Sequence, residues 1–344
     1  MKRLSTKVML TTRDGAAIPV HCIPPLQEKL IPPTDRQAVS VTQPPLHVET
    51  ILPQPARKAL LVINRHARNG YPVPDAALDR LRAGGIELME ADPLDVAVSI
   101  DNARASGCNC VIIGGGDGTL NRAAPALSRT DLPLGILPLG TANDLARSLA
   151  IPPSPVEAAS IIVDGHHRPI DLGEVNGVPF FNVASIGFSA DLARELTADA
   201  KKRFGTLGYA LAGLRILARM RPFTVTIEHD GKRDVIRTVQ VSVGNGRHYG
   251  GGLTVDLDAR PDDGLLHVYS LGVEHWWQLL ALLPALKQGT QGRWREVYTF
   301  TTTACTVETR RPRSINTDGE LTGKTPASFH VIPGAVEVYT RPLA

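Results

Sequence analysis

The fold is decided by the stretch Gly114-Gly115-Gly116-Asp117-Gly118-Thr119-Leu120-Asn121. It follows the short apolar run 110–113, which is typical of a buried parallel strand, and residues 122–127 can form a helix. The glycines therefore stand at a strand-to-helix turn, where they permit positive φ and leave backbone N–H groups uncovered. Such groups bind anions with the help of the positive end of the helix dipole. We predict an anion site at this turn.

Asp117 indicates which kind of anion site this is. A carboxylate is unfavourable beside an anion unless a cation bridges the two, so the stretch predicts binding of a metal-nucleotide. The motif is neither a Walker A loop nor a dinucleotide fingerprint, because it lacks Gly-Lys-Ser/Thr and has Thr119 and Asn121 where the fingerprint requires glycine. An alternative remains open, in which the turn is merely tight and Asp117 caps the helix.

A second loop of the same kind follows at Pro138-Leu139-Gly140-Thr141-Ala142-Asn143-Asp144. It comes after the apolar strand 134–137 and again opens a helix. Two successive strand–loop–helix units place both loops at the carboxyl ends of neighbouring parallel strands. Open α/β sheets bind their ligands at this edge, so we expect the two loops to form one site.

The pattern of elements changes once along the chain, which predicts a fold of α/β plus all-β class. From 58 to 165, apolar strands alternate with amphipathic helices, as in a doubly wound parallel-sheet domain. From 166 to 332, short alternating runs are separated by turns, which predicts an antiparallel β-sandwich domain. Residues 1–57 are rich in proline, and we predict a mobile arm there with one short strand near 39–41.

Composition excludes some classes of partner. The chain has 344 residues, of which 43% are hydrophobic, so it can bury the cores of two domains. A formal net charge of +3 is only mildly basic, and we expect no nucleic-acid partner. Four cysteines in a chain of this length do not form a disulfide framework, which favours a reducing compartment.

The two loops together resemble the diacylglycerol kinase catalytic-domain family, which includes bacterial lipid kinases and sphingosine kinases. The resemblance rests on G-G-G-D-G-T-x-N followed by P-x-G-T-A-N-D and extends over about residues 58–341. It implies an ATP-dependent kinase that uses Mg²⁺ and transfers the γ-phosphate to a lipid hydroxyl. It also implies that the last strand, within 333–344, returns to the first domain, and that the sandwich receives the lipid.

The resemblance assigns nucleotide-binding residues in three loops. They are Asn64, Ala67, Gly115, Gly116, Asp117, Gly118, Thr119, Asn121, Gly140, Thr141, Asn143 and Asp144. The first of these loops departs from the family pattern N-P-x-(A/S)-G, because residues 64–70 read Asn-Arg-His-Ala-Arg-Asn-Gly. Asn64 and Ala67 match, whereas the proline and the adjacent glycine are missing. This departure concerns the affinity for ATP more than the fold.

Two further motifs match the family in the second half. Residues 244–265 carry G-N-G, G-G-G and D-D-G-L, and the resemblance makes Asp263 a Mg²⁺ ligand together with the main-chain carbonyls of Arg260 and Leu265. Taken alone, Asp-Asp-Gly is also the sequence of a turn that binds nothing. Farther along, Asp318-Gly319-Glu320 matches the motif that supplies the catalytic base, which would be Glu320. With Asp117 at the metal-nucleotide centre, these residues meet the requirements of phosphoryl transfer.

Two apolar segments with basic flanks indicate contact with a membrane surface. The basic run 201–203 precedes apolar residues 204–217, and residues 276–283 begin with two tryptophans. Neither segment has the roughly 18–20 apolar residues needed to span a bilayer. Both suit a protein that rests on an anionic leaflet, although core helices with solvated ends fit as well. We expect a cytoplasmic, peripherally membrane-associated protein and leave a homodimer open.

Two other functions remain open. A soluble NAD kinase shares the G-G-D-G-T loop, but the Asp-Asp-Gly-Leu-Leu segment and the tryptophan-rich helix favour a lipid kinase. A non-catalytic protein that binds lipid or nucleotide would fit the irregular 64–70 loop. It would have no use for Asp117 and Glu320 together. The sequence does not identify the lipid.

Overall fold

The structure, a computed structural model, describes residues 10–11, 17–18, 57–64, 74–91, 95–195, 221–249, 253–254 and 259–342. The chain divides into two units, Met1–Leu52 and Pro53–Ala344. In the first unit, β1 (Leu10–Thr11) pairs antiparallel with β2 (Ala17–Ile18). The strand predicted near 39–41 lies outside the described residues.

The second unit begins with a parallel sheet in the order β4-β3-β5-β6. Its strands are β3 (Arg57–Ile63), β4 (Ile86–Ala91), β5 (Cys110–Gly115) and β6 (Leu134–Pro138). Its helices are α1 (Asp75–Ala83), α2 (Val96–Asp101), α3 (Asp117–Leu127), α4 (Asp144–Ser148) and α5 (Pro155–Asp164). The apolar run of β5 is fully buried, because α1 packs against α5 and α2 packs against α3 to cover the sheet.

Most of the remaining strands form two antiparallel layers, and one short pair forms a separate two-stranded sheet. The strands are β7 (His167–Val175), β8 (Val178–Phe180), β9 (Val183–Gly187), β10 (Phe223–His229), β11 (Lys232–Thr238), β12 (Gln240–Gly244), β13 (His248–Tyr249), β14 (Leu253–Thr254), β15 (Leu266–Leu271), β16 (Val297–Thr302), β17 (Ala304–Thr309), β18 (Ser314–Thr317), β19 (Glu320–Lys324) and β20 (Ala327–Tyr339). The helices are α6 (Phe188–Glu195), α7 (Trp276–Gln288) and a 3₁₀ turn, Gln291–Arg293.

One layer is a six-stranded sheet in the order β16-β15-β12-β9-β18-β19. The other contains β11, β10, β17, β20, β7 and β8. Alternate residues of both layers meet in a core that includes Phe180, Val225, Val243, Leu266 and Phe329. The predicted fold class, a doubly wound parallel-sheet domain followed by an antiparallel sandwich, is confirmed.

Strand β20 belongs to both halves of the second unit. Its first part pairs antiparallel with β17, and Val338 pairs parallel with Leu134 of β6. The last strand was expected within 333–344, whereas the structure has one longer strand, Ala327–Tyr339, with a register shift between Ile332 and Val336. Pro333 cannot donate a ladder hydrogen bond, and Gly334 has a φ of +59°, so the chain bulges without ending the strand. One ten-stranded sheet therefore runs through both halves.

Candidate active site

The loops after β5 and β6 touch through two glycines. A Cβ atom on Gly140 would lie 2.5 Å from the Cα of Gly116, and a Cβ atom on Gly116 would lie 2.9 Å from the Cα of Gly140. The first loop does not use the positive φ that its glycines permit, because Gly116 has a φ of −108° and a ψ of −173°, which any residue can adopt. Glycine is needed here because the two backbones approach too closely for a side chain.

The carboxylate of Asp117 connects the two loops. Asp117 is the first residue of α3, and its Oδ1 accepts a hydrogen bond of 3.2 Å from the backbone N–H of Leu145 in α4. The side chain therefore satisfies the start of the neighbouring helix, whereas the cap of α3 itself is made without any side chain. Asp117 thus holds the second loop beside the first.

The second loop is closed by Asn143, which has a left-handed φ of 50°. Its Oδ1 accepts from the N–H of Gly140 at 2.9 Å, and its Nδ2 donates to the carbonyl of Gly140 at 3.0 Å. Asp144 follows as the first residue of α4, is 4% exposed, and lies 3.8 Å from the guanidinium of Arg147. Asn143 and Asp144 therefore shape the loop and are turned inward.

The end of β3 joins the same edge of the sheet. The Nδ2 of Asn64 donates to Thr119 Oγ1 at 3.0 Å, and its backbone N–H donates to the carbonyl of Gly114 at 2.9 Å. Gly115 allows this arrangement, because a Cβ atom there would lie 2.7 Å from Thr119 Oγ1. Ala67, the other predicted residue of this loop, lies outside the described residues.

A cleft of about 350 Å³ opens where these loops meet the sandwich. It is lined by Asn64, Gly116, Gly118, Thr119, Arg122, Gly140, Thr141 and Glu320. All except Glu320 belong to the parallel-sheet half, whereas Glu320 is the first residue of β19. A larger cavity of about 460 Å³ lies at the β10–β11 turn and is lined by none of these residues. The cleft therefore brings six of the predicted nucleotide residues together with the predicted base.

Arg122 lines the cleft and was missed by the sequence reasoning. It lies one helical turn after Gly118 and Thr119, so all three project from the same side of α3. This spacing was the signal that could have identified it. Asn121, which was expected to face the nucleotide, instead donates from Nδ2 to the carbonyl of Thr317 at 3.2 Å. It is 7% exposed and connects α3 to β18.

Asp318, in the turn between β18 and β19, is the second residue that the sequence reasoning did not single out. Its carboxylate accepts from the backbone N–H groups of Phe181 at 2.9 Å, Asn182 at 3.1 Å and Val183 at 2.9 Å. Desolvation raises the pKa of this carboxyl to about 7, and the charge of Asp117 adds to the rise, whereas the three donors oppose it. Asp318 thus fastens the turn that carries Glu320 and lies within the electrostatic field of Asp117.

The predicted metal ligand Asp263 is engaged by hydrogen-bond donors. Its carboxylate accepts from the N–H of Arg260 at 2.9 Å and of Leu265 at 3.0 Å, and its Oδ2 lies 2.9 Å from Nε2 of His267. The loop thus presents N–H groups to the carboxylate at the two positions where carbonyl ligands were expected. Within the described ranges, no cluster of three or more His, Cys, Asp or Glu side chains could hold a metal ion. Mg²⁺ binding by Asp263 with the main-chain carbonyls of Arg260 and Leu265 stays a prediction.

Comparison with known proteins identifies the family. Residues 58–175 match the Diacylglycerol kinase catalytic domain, and residues 182–340 match the YegS C-terminal NAD kinase beta sandwich-like domain. A diacylglycerol kinase of Mycobacterium tuberculosis is 34% identical over 273 residues, which cover 76% of this chain and 87% of the relative. The chain belongs to the diacylglycerol kinase family. The predicted family is confirmed, and with it the expectation that the protein is a kinase.

Other relatives agree with this membership. A Pseudomonas aeruginosa protein named "Probable lipid kinase YegS-like" is 34% identical to this kinase over 287 residues, which cover 82% of this chain and 94% of that protein. A Bacillus anthracis crystal structure, provisionally described as a diacylglycerol kinase, superposes with a TM-score of 0.69 at 26% identity and covers 83% of this kinase and 96% of that chain. The likeness thus extends over both halves of the kinase.

Proposed function

We propose that the protein transfers the γ-phosphate of ATP to a hydroxyl group of a lipid, with Mg²⁺ as the accompanying ion. One observation carries the proposal: Glu320, from the sandwich, lines the same cleft as the two glycine loops of the parallel sheet. Phosphoryl transfer requires positioned phosphates and an acceptor for the proton of the attacking hydroxyl. The cleft offers both. We keep the predicted division in which residues 58–165 bind the nucleotide and residues 166–332 bind the lipid.

In this proposal the phosphates lie against bare backbone. Gly116, Gly118 and Gly140 line the cleft without side chains, and Thr119 and Thr141 add hydroxyl groups. Arg122 supplies a positive charge on the same wall. These groups bind and orient the phosphate chain, and Asn64 orients the hydroxyl of Thr119 through its hydrogen bond.

In this proposal Mg²⁺ lies at the carboxylate of Asp117, which holds the two phosphate loops together. The charge of Asp117 contributes to the raised pKa of Asp318, so two carboxyl groups share one field beside the phosphate loops. A divalent cation relieves this repulsion, and carboxylate oxygen is a ligand that Mg²⁺ prefers. Asp117 would hold the ion, which neutralises phosphate charge when it is bound.

Glu320 is the proposed general base. It accepts the proton of the lipid hydroxyl as the oxygen attacks the γ-phosphate. Asp318 acts as a positioning residue, because its bonds to three backbone N–H groups fix the turn from which Glu320 projects. Asn121 supports the same alignment by joining α3 to the carbonyl of Thr317.

The experiment that tests the function supplies purified protein with γ-labelled ATP, Mg²⁺ and a mixed lipid extract. We expect a labelled lipid, identified by chromatography and mass spectrometry, and no labelled product with Glu320→Gln. NAD serves as the competing acceptor, since the matched sandwich domain is described as NAD kinase-like. Labelling of NAD instead of lipid would assign the protein to the soluble kinases. Absence of transfer to any acceptor, with ATP still bound, would establish a non-catalytic binding protein.

A further inference from the structure

Helix α7 is apolar on both of its faces. Its inward face, Leu279, Leu282, Ala285 and Leu286, is buried in a core cluster on the outer side of the six-stranded sheet, with Tyr269 and Leu271 of β15. The opposite face is exposed and consists of Trp277, Leu280, Ala281, Leu283 and Pro284. A helix that is hydrophobic all round is normally enclosed on every side. In this helix only one side is covered by the described residues.

The exposure of this face is substantial. Trp277 is 55% exposed, Leu280 43% and Leu283 39%, although all three are large apolar side chains. Residues 276–286 contain no charged residue. The polar side chain among them, Gln278, is turned back to the start of the helix, where its Oε1 accepts from the N–H groups of Glu274 at 2.9 Å and His275 at 2.8 Å. Nothing on this face therefore favours water over an apolar partner.

Basic residues and a further tryptophan lie next to the exposed face along the chain. Trp294 follows the 3₁₀ turn and is 38% exposed, between exposed Arg293 and Arg295. Lys287 is exposed at the end of α7. The acidic residues of the same segment are exposed Glu274 and half-buried Glu296, so positive charge predominates. All three tryptophans of the chain, Trp276, Trp277 and Trp294, fall within these few turns.

We infer that the exposed face of α7, with Trp294 and the neighbouring basic residues, docks the protein on the surface of an anionic lipid bilayer. Tryptophan favours the boundary between headgroups and acyl chains, leucine enters the apolar layer, and lysine and arginine pair with anionic headgroups. Among the described helices, none has the length and apolar character to cross a bilayer. The inference rests on the proposed function, because a lipid substrate brings the protein to a bilayer.

The site and the docking face lie on one sheet. Helix α7 covers the outer face of β15, and Glu320 begins β19, which is the edge strand of the same six-stranded sheet. The sheet that α7 would attach to the membrane is therefore the same sheet that carries the proposed base. Docking would supply lipid to the sandwich from the surface of the bilayer.

Tryptophan fluorescence tests the docking face directly, since every tryptophan lies in this segment. We expect vesicles of phosphatidylglycerol to shift the emission to the blue, and lipids brominated along the acyl chain to quench it. Phosphatidylcholine vesicles should bind more weakly, and added salt should weaken binding to the anionic vesicles. Leu280→Glu should lower vesicle affinity about tenfold, through lost insertion and charge repulsion. Val98→Glu, at a 58% exposed valine of α2, is the matched control and should bind as the wild type does.

Three outcomes would overturn the inference. One is vesicle binding without any change in tryptophan emission, and another is equal loss of binding in both variants. The third is a wild-type dimer in analytical ultracentrifugation that Leu280→Glu separates while vesicle binding is unchanged, which would make the face a contact between two copies. Transfer of phosphate to a short-chain lipid in free solution distinguishes the two proposals. If this activity is present without vesicle binding, the docking proposal fails and the lipid-kinase proposal stands. If the protein binds vesicles but transfers phosphate to no lipid, the docking proposal stands and the lipid-kinase proposal fails.

Discussion

At the scale of single residues, the contact between the two glycine loops is the tightest constraint of the site. Gly116 and Gly140 approach so closely that either loop would have to move to accommodate one methyl group. Gly118, two residues along, faces open space and lines the same cleft. The same residue type therefore has two uses in one motif. At two positions it permits contact between backbones, and at the third it leaves room for a ligand.

Gly140→Ala should destabilise the protein by about 1–3 kcal/mol, which is the usual cost of overpacking. The new Cβ atom would lie 2.5 Å from Gly116 Cα and 2.7 Å from Asn143 Oδ1, so both loops must shift. Urea denaturation measures the change. Gly118→Ala is the control and should not destabilise the fold, because nothing lies within 4 Å of its Cβ position and alanine favours a helix. Equal losses in both variants would contradict the role of the contact.

Glu320→Gln should lower kcat about 10²–10⁴-fold, the typical effect of losing a general base. Glutamine keeps the size of the side chain but cannot accept the proton of the lipid hydroxyl. ATP affinity should change little, since the loops that line the nucleotide side of the cleft belong to the other half of the protein. Calorimetric titration of ATP against the same preparation separates binding from turnover. A parallel loss of ATP binding would make Glu320 part of the nucleotide site.

At the scale of elements, short β13 is anchored to the helix of the second glycine loop. The backbone N–H of His248 donates to the Oγ of Ser148, at the end of α4, at 3.2 Å. Desolvation lowers the pKa of the His248 imidazole, and the nearby charges of Arg247 and Arg147 add to the effect. A half-buried histidine that resists protonation therefore lies against the helix that follows the second loop.

The sign of the resulting pH dependence follows from the lowered pKa. Below its ordinary value of 6.5, the unfolded chain binds a proton at His248 that the folded chain excludes, so stability is full above this pH and falls as the pH decreases. His248→Gln removes the titrating group. Between pH 7 and about pH 5.5, the free energy of unfolding should therefore fall less steeply in the variant than in the wild type. Identical slopes in urea denaturation at each pH would contradict the assignment.

At the scale of the whole molecule, the parallel sheet and the sandwich depend on each other for stability, because they share strand β20. One strand contributes Phe329 to the sandwich core and Val338 to the core of the parallel sheet. Asn121 adds a second link across the same boundary by its hydrogen bond to Thr317. The cleft lies at this boundary, so its geometry depends on the two halves keeping their alignment.

Val338→Ala should lower stability by about 2 kcal/mol, because the side chain is fully buried where β20 pairs with β6. The loss should appear as one transition by two probes. Tryptophan fluorescence reports on the sandwich, and circular dichroism at 222 nm reports on the helices, whose described residues belong mostly to the parallel-sheet half. Coincident midpoints in the wild type, shifted together in the variant, are the expected result. Two separate transitions would show that β20 does not couple the halves.

Local signals in the sequence predicted much of the fold and part of the site. The apolar strands and the glycine loops each occupy a short stretch of sequence, so they can be recognised without a structure. The change from alternating helices to short strands can be read in the same way from the order of these stretches. The residues 114–121 and 138–144 line up at one edge of the sheet as expected, because parallel strands end on the same side. The family resemblance also pointed to Glu320 as a residue of the site, and Glu320 lies in the cleft.

Only the tertiary structure decided which groups meet. Gly116 and Gly140 form a contact between two loops, Asn121 turns to a carbonyl 196 residues away, and the Asp263 carboxylate faces N–H donors. The apolar sequence of α7 fits a core helix and a membrane-surface helix equally well. Packing on the six-stranded sheet buries one face and leaves Trp277 and Leu280 exposed. Periodicity is a local property of the chain, whereas contact and exposure depend on how distant segments pack, and for that reason the sequence by itself determined the elements and the structure determined the site.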